Sequence, residues 1–448
     1  MRKFYYLLAV VAVVATSCQQ EVTYTRTQPE TQNSEIADPQ TRSYEEALAI
    51  AEEALKLVDG EDTRSSNHRV IKRNEGQVIM RSTTRGGNTE EEPVMYIFNN
   101  EENEGFTVVA ANRGVEPLIA VTERGNYTYG EPTGVEPFDK YMDDVVETYS
   151  TIVHPPIVLP DDPIVPSPGF YIDTVLNRKT VVSPIITTKW GQDGIYGKYC
   201  PNGLSGCSIT ALVQILAHHE YPVLLQSTYN GTNTNINLNW DNMLQHTESA
   251  DLNTTCDCGC DYEQIAFVMR EMGHRAGTRY YFDNPNTEVD ERGSGNTIQE
   301  IYTLLISLGY NNVIYTPTSN FSDEFNTIVE NLNNDCPIYI RGVDSSGHAW
   351  ILDGYSRHEV TRKIYVSNPN YNPNIIYNPE PQYILDRTEV RDTKLLHFNW
   401  GWNGNCDGWF SYGCFQTNNA ETYDDPTENN DNNRNYCNDI GLIYHIDR

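Results

Sequence analysis

The chain has few positive charges, and beyond its first residues it has no long apolar segment. It contains 31 Lys and Arg against 62 Asp and Glu, which gives a formal net charge of −31 at pH 7. Binding to phosphate backbones needs a positive surface, so this balance disfavours a nucleic-acid-binding protein and adsorption to anionic lipid. The paired Cys/His spacing of structural zinc sites is also missing, and neither a metal nor a cofactor is expected.

The one apolar run lies at the N-terminus. Arg2 and Lys3 precede apolar residues that continue to Val14, and the run is too short for a transmembrane helix. It predicts a signal peptide over residues 1–17. The Ser-Cys pair that follows resembles a bacterial lipoprotein signal, in which Cys18 becomes the lipidated first residue. The alternative is ordinary signal cleavage with Cys18 incidental. We expect an exported lipoprotein of the outer membrane or cell surface, released from the membrane if processing cuts the chain.

The length of 448 residues exceeds one ordinary core, and composition shifts divide the chain. Polar residues 18–40 predict a flexible tether. A helix from Ser43 to Gly60, followed by short strands, indicates a small α+β domain over 41–150. Six prolines within residues 154–169 indicate an extended linker over 151–183. A second domain is predicted over 184–448.

Cys207 carries the strongest chemical signal. Apolar residues recur at helical spacing directly after it, and the pattern ends at Pro222. Cys207 therefore lies at a helix N-terminus, where the helix dipole and the free N–H groups favour the reactive thiolate. The alternative is a buried free cysteine at a helix start.

His348 is the best candidate for a base. It lies in Gly347-His348-Ala-Trp350 at the start of a predicted strand, 141 residues after Cys207. This separation falls within the roughly 130–150 residues typical of one class of thiol protease. His218 and His219 lie on the helix of Cys207 itself, roughly 16–18 Å away at 1.5 Å per residue, which is too far. A structural histidine at a strand start is the alternative.

Two residues compete to orient the imidazole of His348. Asn399, in Asn399-Trp400-Gly-Trp402, belongs to another segment that can pair beside the His348 strand, and Trp400 can cover the hydrogen bond from water. Asp353 is five residues along the same strand, on its opposite face and roughly 17 Å away if the strand is regular. We favour Asn399. Gln192 has the side-chain donor that an oxyanion hole needs alongside the backbone N–H of Cys207, and a solvated glutamine in a polar loop is the alternative.

These segments, with Gly206-Cys207-Ser-Ile-Thr-Ala, Cys336-Pro-Ile-Tyr-Ile and Asp353-Gly-Tyr, resemble the streptopain family of bacterial cysteine peptidases. The resemblance implies a papain-like α+β fold, with a helical part and an antiparallel β part, and endopeptidase activity. It also implies the roles of the site residues: Cys207 as nucleophile, His348 as base, Asn399 and Trp400 as support, and Gln192 at the oxyanion hole. Ser208 and Ile209 depart from the Val-Ala that the family often has.

The first domain resembles the propeptide, or Spi-type inhibitor, of the same family. The similarity lies in Tyr96-Ile-Phe-Asn and in Gly105-Phe-Thr-Val-Val-Ala-Ala-Asn. Such a domain would cover the active site until activation, and we expect the cut at about 155–185, where Arg178 and Lys179 offer cleavage positions. Partners are then protein or peptide substrates, the chain's own propeptide and the membrane through the lipid.

Eight cysteines remain besides Cys18 and Cys207, enough for four disulfides in an oxidising compartment. Free thiols are the alternative, and a metal at Cys256-Asp-Cys258-Gly-Cys260 is a weaker one. Residues 416–438 lack the EF-hand pattern and predict a solvated loop. We therefore predict a lipid-anchored cysteine endopeptidase zymogen. Two alternatives stay open: another thiol acyltransferase or amidase, and a binding or inhibitor protein that has lost turnover.

Overall fold

The structure is a computed structural model. It describes residues 21–27, 41–59, 69–85, 88–113, 115–151, 170–227, 234–248, 261–282, 292–318, 324–343, 347–368, 370–371, 382–412 and 440–447. The predicted signal peptide, Cys18, the proline-rich stretch 154–169, the three cysteines of 256–260 and the insertion 416–438 lie outside these ranges.

The N-terminal domain combines a twisted antiparallel sheet with two helices. Its elements are β1 (Glu21–Thr27), α1 (Tyr44–Asp59), β2 (Gln77–Arg85), β3 (Asn88–Asn99), a short 3₁₀ turn (Glu101–Asn103), β4 (Phe106–Ala110), β5 (Leu118–Thr122) and α2 (Glu136–Thr151). The hydroxyl of Ser43 accepts from the Glu46 N–H and starts α1. One face of α1 is buried against the sheet through Ala47, Ile50, Ala51, Ala54 and Leu55.

The tether predicted over 18–40 is wrong for part of its length. Glu21–Thr27 form β1, which pairs antiparallel with β2. The segment alternates Val, Tyr and Thr, residues that favour strands, and the polar composition concealed this. The Tyr24 hydroxyl lies 2.7 Å from the Ser150 Oγ at the end of α2, so the strand is also fixed from the helical side.

The second domain has a helical part followed by a long antiparallel hairpin. Its elements are β6 (Phe170–Val182), α3 (Cys207–His218), β7 (Leu224–Ser227), β8 (Thr234–Asn237), α4 (Trp240–Met243), α5 (Asp261–Ala276), β9 (Arg279–Tyr281), β10 (Gly293–Gly295), α6 (Ile298–Leu308), β11 (Ile314–Thr318), α7 (Phe325–Asn333), β12 (Ile338–Val343), β13 (Gly347–Ser367), β14 (Tyr383–Asn399), β15 (Gly408–Ser411) and β16 (Ile440–Tyr444). Helices α3, α5 and α6 share one apolar core.

The linker predicted over 151–183 is also wrong at its C-terminal end. Residues 170–182 are β6, which pairs antiparallel with β13 along its length. Arg178 and Lys179, predicted as cleavage positions, are therefore held in a hydrogen-bonded ladder. A peptidase needs an extended chain free of such pairing, so these two positions are poor sites for the activating cut.

A single sheet crosses both domains. Its strand order is β1-β2-β3-β4-β5-β15-β14-β13-β12-β16-β11, with β6 on β13. The junction is the antiparallel pairing of β5 with β15, in which Trp409 lies opposite Val121. The apolar core beneath is also shared, since Phe138 and Tyr141 of α2 pack with Phe410. The α+β fold expected from the sequence, with a helical part and an antiparallel part after a small α+β domain, is confirmed.

Three of the eight cysteines offered for disulfides are free thiols: Cys200, Cys336 and Cys406. All three are buried in different parts of the second domain. Four disulfides among the eight are therefore excluded, and the free-thiol alternative holds for these three cysteines. Among the residues that the structure describes, no helix is long and apolar enough to cross a membrane.

Candidate active site

Cys207 is the first residue of α3, as the periodicity predicts. The turn before it depends on Gly206, which has φ of 86° and would place a Cβ only 2.6 Å from the Ser294 carbonyl oxygen. Only glycine fits this combination of backbone angle and close approach. The thiol thus stands at the positive end of a buried helix, and its side chain is partly exposed.

His348 lies beside this thiol. It is the second residue of β13, opposite Gly342 of β12, and its side chain is buried at 5% exposure. Burial raises the pKa of Cys207, but the charge and hydrogen bond of His348, the Ala349 N–H and the charge of Arg341 outweigh it and hold the pKa at about 7. A thiol ordinarily titrates near 9, so much of Cys207 is thiolate at neutral pH.

The other ring nitrogen of His348 meets a backbone oxygen. Its Nε2 lies 3.2 Å from the carbonyl oxygen of Trp400. Three indoles surround the imidazole, with the ring of Trp350 nearly parallel to it and those of Trp400 and Trp402 tilted, at centroid distances of 5.5–6.1 Å. Trp400 itself is buried, and its ring packs against the imidazole.

Asn399 reaches His348 indirectly. Its Oδ1 accepts from the Gly401 N–H at 3.0 Å and from Gln214 Nε2 at 3.1 Å, and its Nδ2 donates to the Thr188 carbonyl at 2.9 Å. Instead of contacting the imidazole, it fixes the Trp400–Gly401 peptide whose carbonyl does. The expectation of an amide oxygen on the imidazole is wrong, because the chain turns at Gly401, at φ of 73°, and presents a carbonyl there.

Asp353 belongs to a separate buried cluster. It occupies a β-bulge between β13 and β14, and its Oδ1 lies 2.6 Å from Nδ1 of His397. Nε2 of His397 lies 3.3 Å from Glu123 of the first domain. Burial lowers the pKa of His397, but Asp353 and Glu123 outweigh it and raise the value to about 10. His397 was not among the predicted site residues, and its place in His397-Phe-Asn399 was the one signal for it.

Gln192 is tied to the segment that leads into α3. Its backbone carbonyl accepts from the Ser205 N–H at 2.8 Å and from the Ser205 hydroxyl at 3.1 Å. The Ser205 hydroxyl also lies 3.0 Å from the Thr210 Oγ1 in the first turn of α3. The loop of Gln192 and the start of α3 are thus held together through the backbone of Gln192.

The arrangement can carry out nucleophilic acyl transfer. A thiolate at a helix start, a neighbouring imidazole and free N–H groups are the parts that this chemistry uses. Within the described ranges, no group of three or more His, Cys, Asp or Glu could hold a metal ion.

Two family models match the chain. Residues 190–410 match the peptidase C10 family, and residues 35–145 match the Spi protease inhibitor. The second range precedes β6, and the first spans Gln192, Cys207, His348, Asn399 and Trp400. The family resemblance inferred from the sequence motifs is confirmed for both parts.

The chain is also similar to curated proteins over about 70% of its length. Streptopain of Streptococcus pyogenes serotype M28 is 23% identical over 347 residues, which cover 70% of this chain and 73% of streptopain. The thiol protease/hemagglutinin PrtT of Porphyromonas gingivalis is 22% identical over 348 residues, covering 71% of this chain and 34% of PrtT.

Two solved structures from Prevotella intermedia are also similar. A prointerpain A fragment is 20% identical with a TM-score of 0.49, covering 79% of this chain and 95% of that one. Active interpain A is 22% identical with a TM-score of 0.37, covering 59% of this chain and 94% of that one.

Proposed function

Because this chain belongs to the peptidase C10 family and is a cysteine protease zymogen with a Spi inhibitor propeptide, we propose that Cys207 and His348 form its catalytic pair. The observation that carries the proposal is the thiol at the start of α3, hydrogen-bonded to His348 and with its pKa lowered to about 7. The other free thiols of the described ranges lack this setting, since burial raises the pKa of Cys200 and of Cys336 to about 11 and that of Cys406 to about 12.

The first half of the reaction acylates the enzyme. The Cys207 thiolate attacks the carbonyl carbon of a peptide bond, a C–S bond forms and the carbonyl electrons move to oxygen. The Cys207 N–H and the Gln192 side chain are proposed to donate to this oxyanion. Protonated His348 then gives its proton to the leaving nitrogen as the C–N bond breaks, which leaves a thioester and a free amine.

The second half restores the enzyme. Neutral His348 takes a proton from water, and the resulting hydroxide attacks the thioester carbonyl. The C–S bond breaks, the carboxylic product leaves and the Cys207 thiolate is regenerated beside protonated His348. Throughout, the Trp400 carbonyl accepts from the far nitrogen of the ring, which keeps the near nitrogen facing the thiol.

The test is digestion of a denatured protein substrate by the processed chain, with and without iodoacetamide. We expect internal peptide bonds to be cleaved and one equivalent of iodoacetamide on Cys207 to stop the cleavage. Hydrolysis of small amides but not of protein would instead favour an amidase or acyltransferase. A folded, processed chain that cleaves neither would favour a binding protein without turnover.

The N-terminal domain is proposed to inhibit through the junction of the sheet. Its contacts include β15 and the residues around Trp400: β5 pairs with β15, Tyr141 packs 6.1 Å from the Trp400 ring, and Arg124 Nη1 lies 3.5 Å from the Asn403 carbonyl. Cys207 itself is partly exposed in the intact chain. These contacts support a mode of inhibition in which the N-terminal domain acts on the loop whose Trp400 carbonyl contacts His348. Such inhibition would add to any cover over the active-site cleft.

We further propose that Cys18 carries the lipid anchor. The motivation is the short apolar region that ends in Ala15-Thr-Ser-Cys18. We expect a fatty-acid analogue to label the exported chain in cells, with the label lost in Cys18→Ser and kept in Ser17→Ala. A mature N-terminus that starts elsewhere and carries no acyl group would contradict the proposal and favour ordinary signal cleavage.

A further inference from the structure

The loop that follows Trp400 has an unusual backbone. Gly401, Asn403, Gly404 and Cys406 have φ of 73°, 56°, 76° and 60°. Two of these are not glycine, and residues with a side chain rarely adopt this conformation. Such a backbone persists only where its surroundings hold it. The loop of residues 400–408 therefore depends on contacts that fix its shape.

Asp407 supplies a contact that joins the two ends of the loop. Its Oδ1 accepts from the Trp400 N–H at 2.8 Å, and its side chain is buried at 1% exposure. Trp400 is the residue whose carbonyl lies 3.2 Å from His348 Nε2. Together with the bond from the Gly401 N–H to Asn399, the carboxyl of Asp407 fixes the backbone on both sides of that carbonyl.

The inhibitor domain holds the same loop from outside. The Glu123 N–H donates to the Asp407 carbonyl at 2.9 Å, and Arg124 Nη1 lies 3.5 Å from the Asn403 carbonyl. In the intact chain the loop is thus fixed by its own side chains and by the neighbouring domain. After the inhibitor domain leaves, Asp407 and Asn399 remain.

We propose that Asp407 is a positioning residue for peptide hydrolysis, which holds the Trp400 carbonyl in place for His348 in the processed enzyme. This proposal rests on the proposed function, because Asp407 can assist hydrolysis only if His348 and Cys207 form the catalytic pair. Asp407 does not touch the reacting atoms, and its effect passes through one backbone carbonyl.

The proposed role of Asp407 does not depend on whether its carboxyl is ionised. Burial raises its pKa to about 7, against the lowering effects of the Trp400 N–H, His397 and Lys189, while Asp353 raises it further. A carboxyl accepts a hydrogen bond through its carbonyl oxygen whether or not it is ionised. The proposed role therefore needs an acceptor at this position, which an asparagine amide also provides.

The test compares three variants of the full chain, each measured before and after processing. Asp407→Ala removes the acceptor, and Asp407→Asn is the matched control that keeps it. Asp407→Leu fills the space without an acceptor and replaces Asp407→Ala if the cavity prevents folding. The readouts are kcat and KM on a peptide, and the pH dependence of alkylation of Cys207.

We expect the variant without an acceptor to lose about 10²-fold in kcat after processing, the loss typical of a misplaced catalytic group, with KM unchanged. Its thiol midpoint should rise from near 7 towards 9, and the rise should be smaller in the intact chain. Asp407→Asn should stay near wild type. Wild-type kcat and midpoint in a folded variant without an acceptor would overturn the proposal, as would an equal loss in Asp407→Asn. A wild-type chain with no hydrolysis would instead overturn the proposed function.

Discussion

Replacement of Cys207 by alanine is expected to lower the rate of peptide hydrolysis by about 10⁶-fold, the loss typical when the nucleophile of a hydrolase is removed. The reason is that Cys207 is the thiol beside His348 at the start of α3. Without the sulfur no acyl-enzyme forms, and the remaining oxyanion donors alone give only a small acceleration of hydrolysis. The measurement is kcat/KM on a peptide substrate with the purified, processed protein.

The matched control is Cys200→Ala. Cys200 is seven residues before Cys207 and is buried, and burial raises the pKa of its thiol to about 11. It should be almost wholly protonated at neutral pH, so its loss should leave kcat/KM within a few-fold of wild type. Substantial turnover in Cys207→Ala with loss in Cys200→Ala would show that the nucleophile is assigned to the wrong residue.

Separation of the inhibitor domain is expected to raise the specific activity at least about tenfold, which corresponds to only a modest coupling free energy. Glu123 lies in the contact between the domains, 3.3 Å from His397 and 3.6 Å from Lys189. The pairing of β5 with β15 adds a backbone ladder. The measurement is the rate on one peptide for the intact chain and for the chain cut upstream of β6.

The contact between the domains should depend on pH. Burial raises the pKa of Glu123, but His397, Lys189 and Arg69 outweigh it and lower the value to about 2. Its contribution is therefore complete above an ordinary pKa of 4.5 and is lost as pH falls through about 2. Burial lowers the pKa of His397, but Asp353 of its own domain and then Glu123 raise it to about 10, so the ion pair with Glu123 is lost as pH rises through about 10.

Association of the separated domains should thus weaken as pH falls from 4.5 through about 2, where Glu123 gains a proton, and as pH rises through about 10, where His397 loses one. Glu123→Gln should weaken it and raise the activity of the intact chain, while the exposed Glu102→Gln should not. Equal specific activity of the intact and cut forms would leave the domain as a folding aid or a spacer.

The positions of Cys207 and His348 follow from local sequence. A helical period that starts at the cysteine and a Gly-His before an apolar strand each describe a few neighbouring residues, and the structure brings the two together. The role of Asn399 could not be predicted in this way. It depends on the direction of the Trp400–Gly401 peptide, which the left-handed backbone of the loop determines.

The junction between the domains could not be predicted from the sequence either. His397 meets Asp353 through a bulge and meets Glu123 across a distance of hundreds of residues in the chain. β1 was assigned to a tether because its composition is polar, and β6 to a linker because it follows the proline-rich stretch 154–169. Each forms a strand by pairing with a strand that is distant in the chain, and a local reading of the sequence does not show that partner.

The most direct test of the central claim is the pH dependence of iodoacetamide alkylation at Cys207 in the wild-type chain and in His348→Ala, followed by mass spectrometry of the modified peptide. If His348 and Cys207 form the catalytic pair, the wild-type rate should be half-maximal near pH 7, and the variant midpoint should move towards the ordinary value of 9. A midpoint near 9 in the wild type, or one that His348→Ala leaves unchanged, would contradict the account.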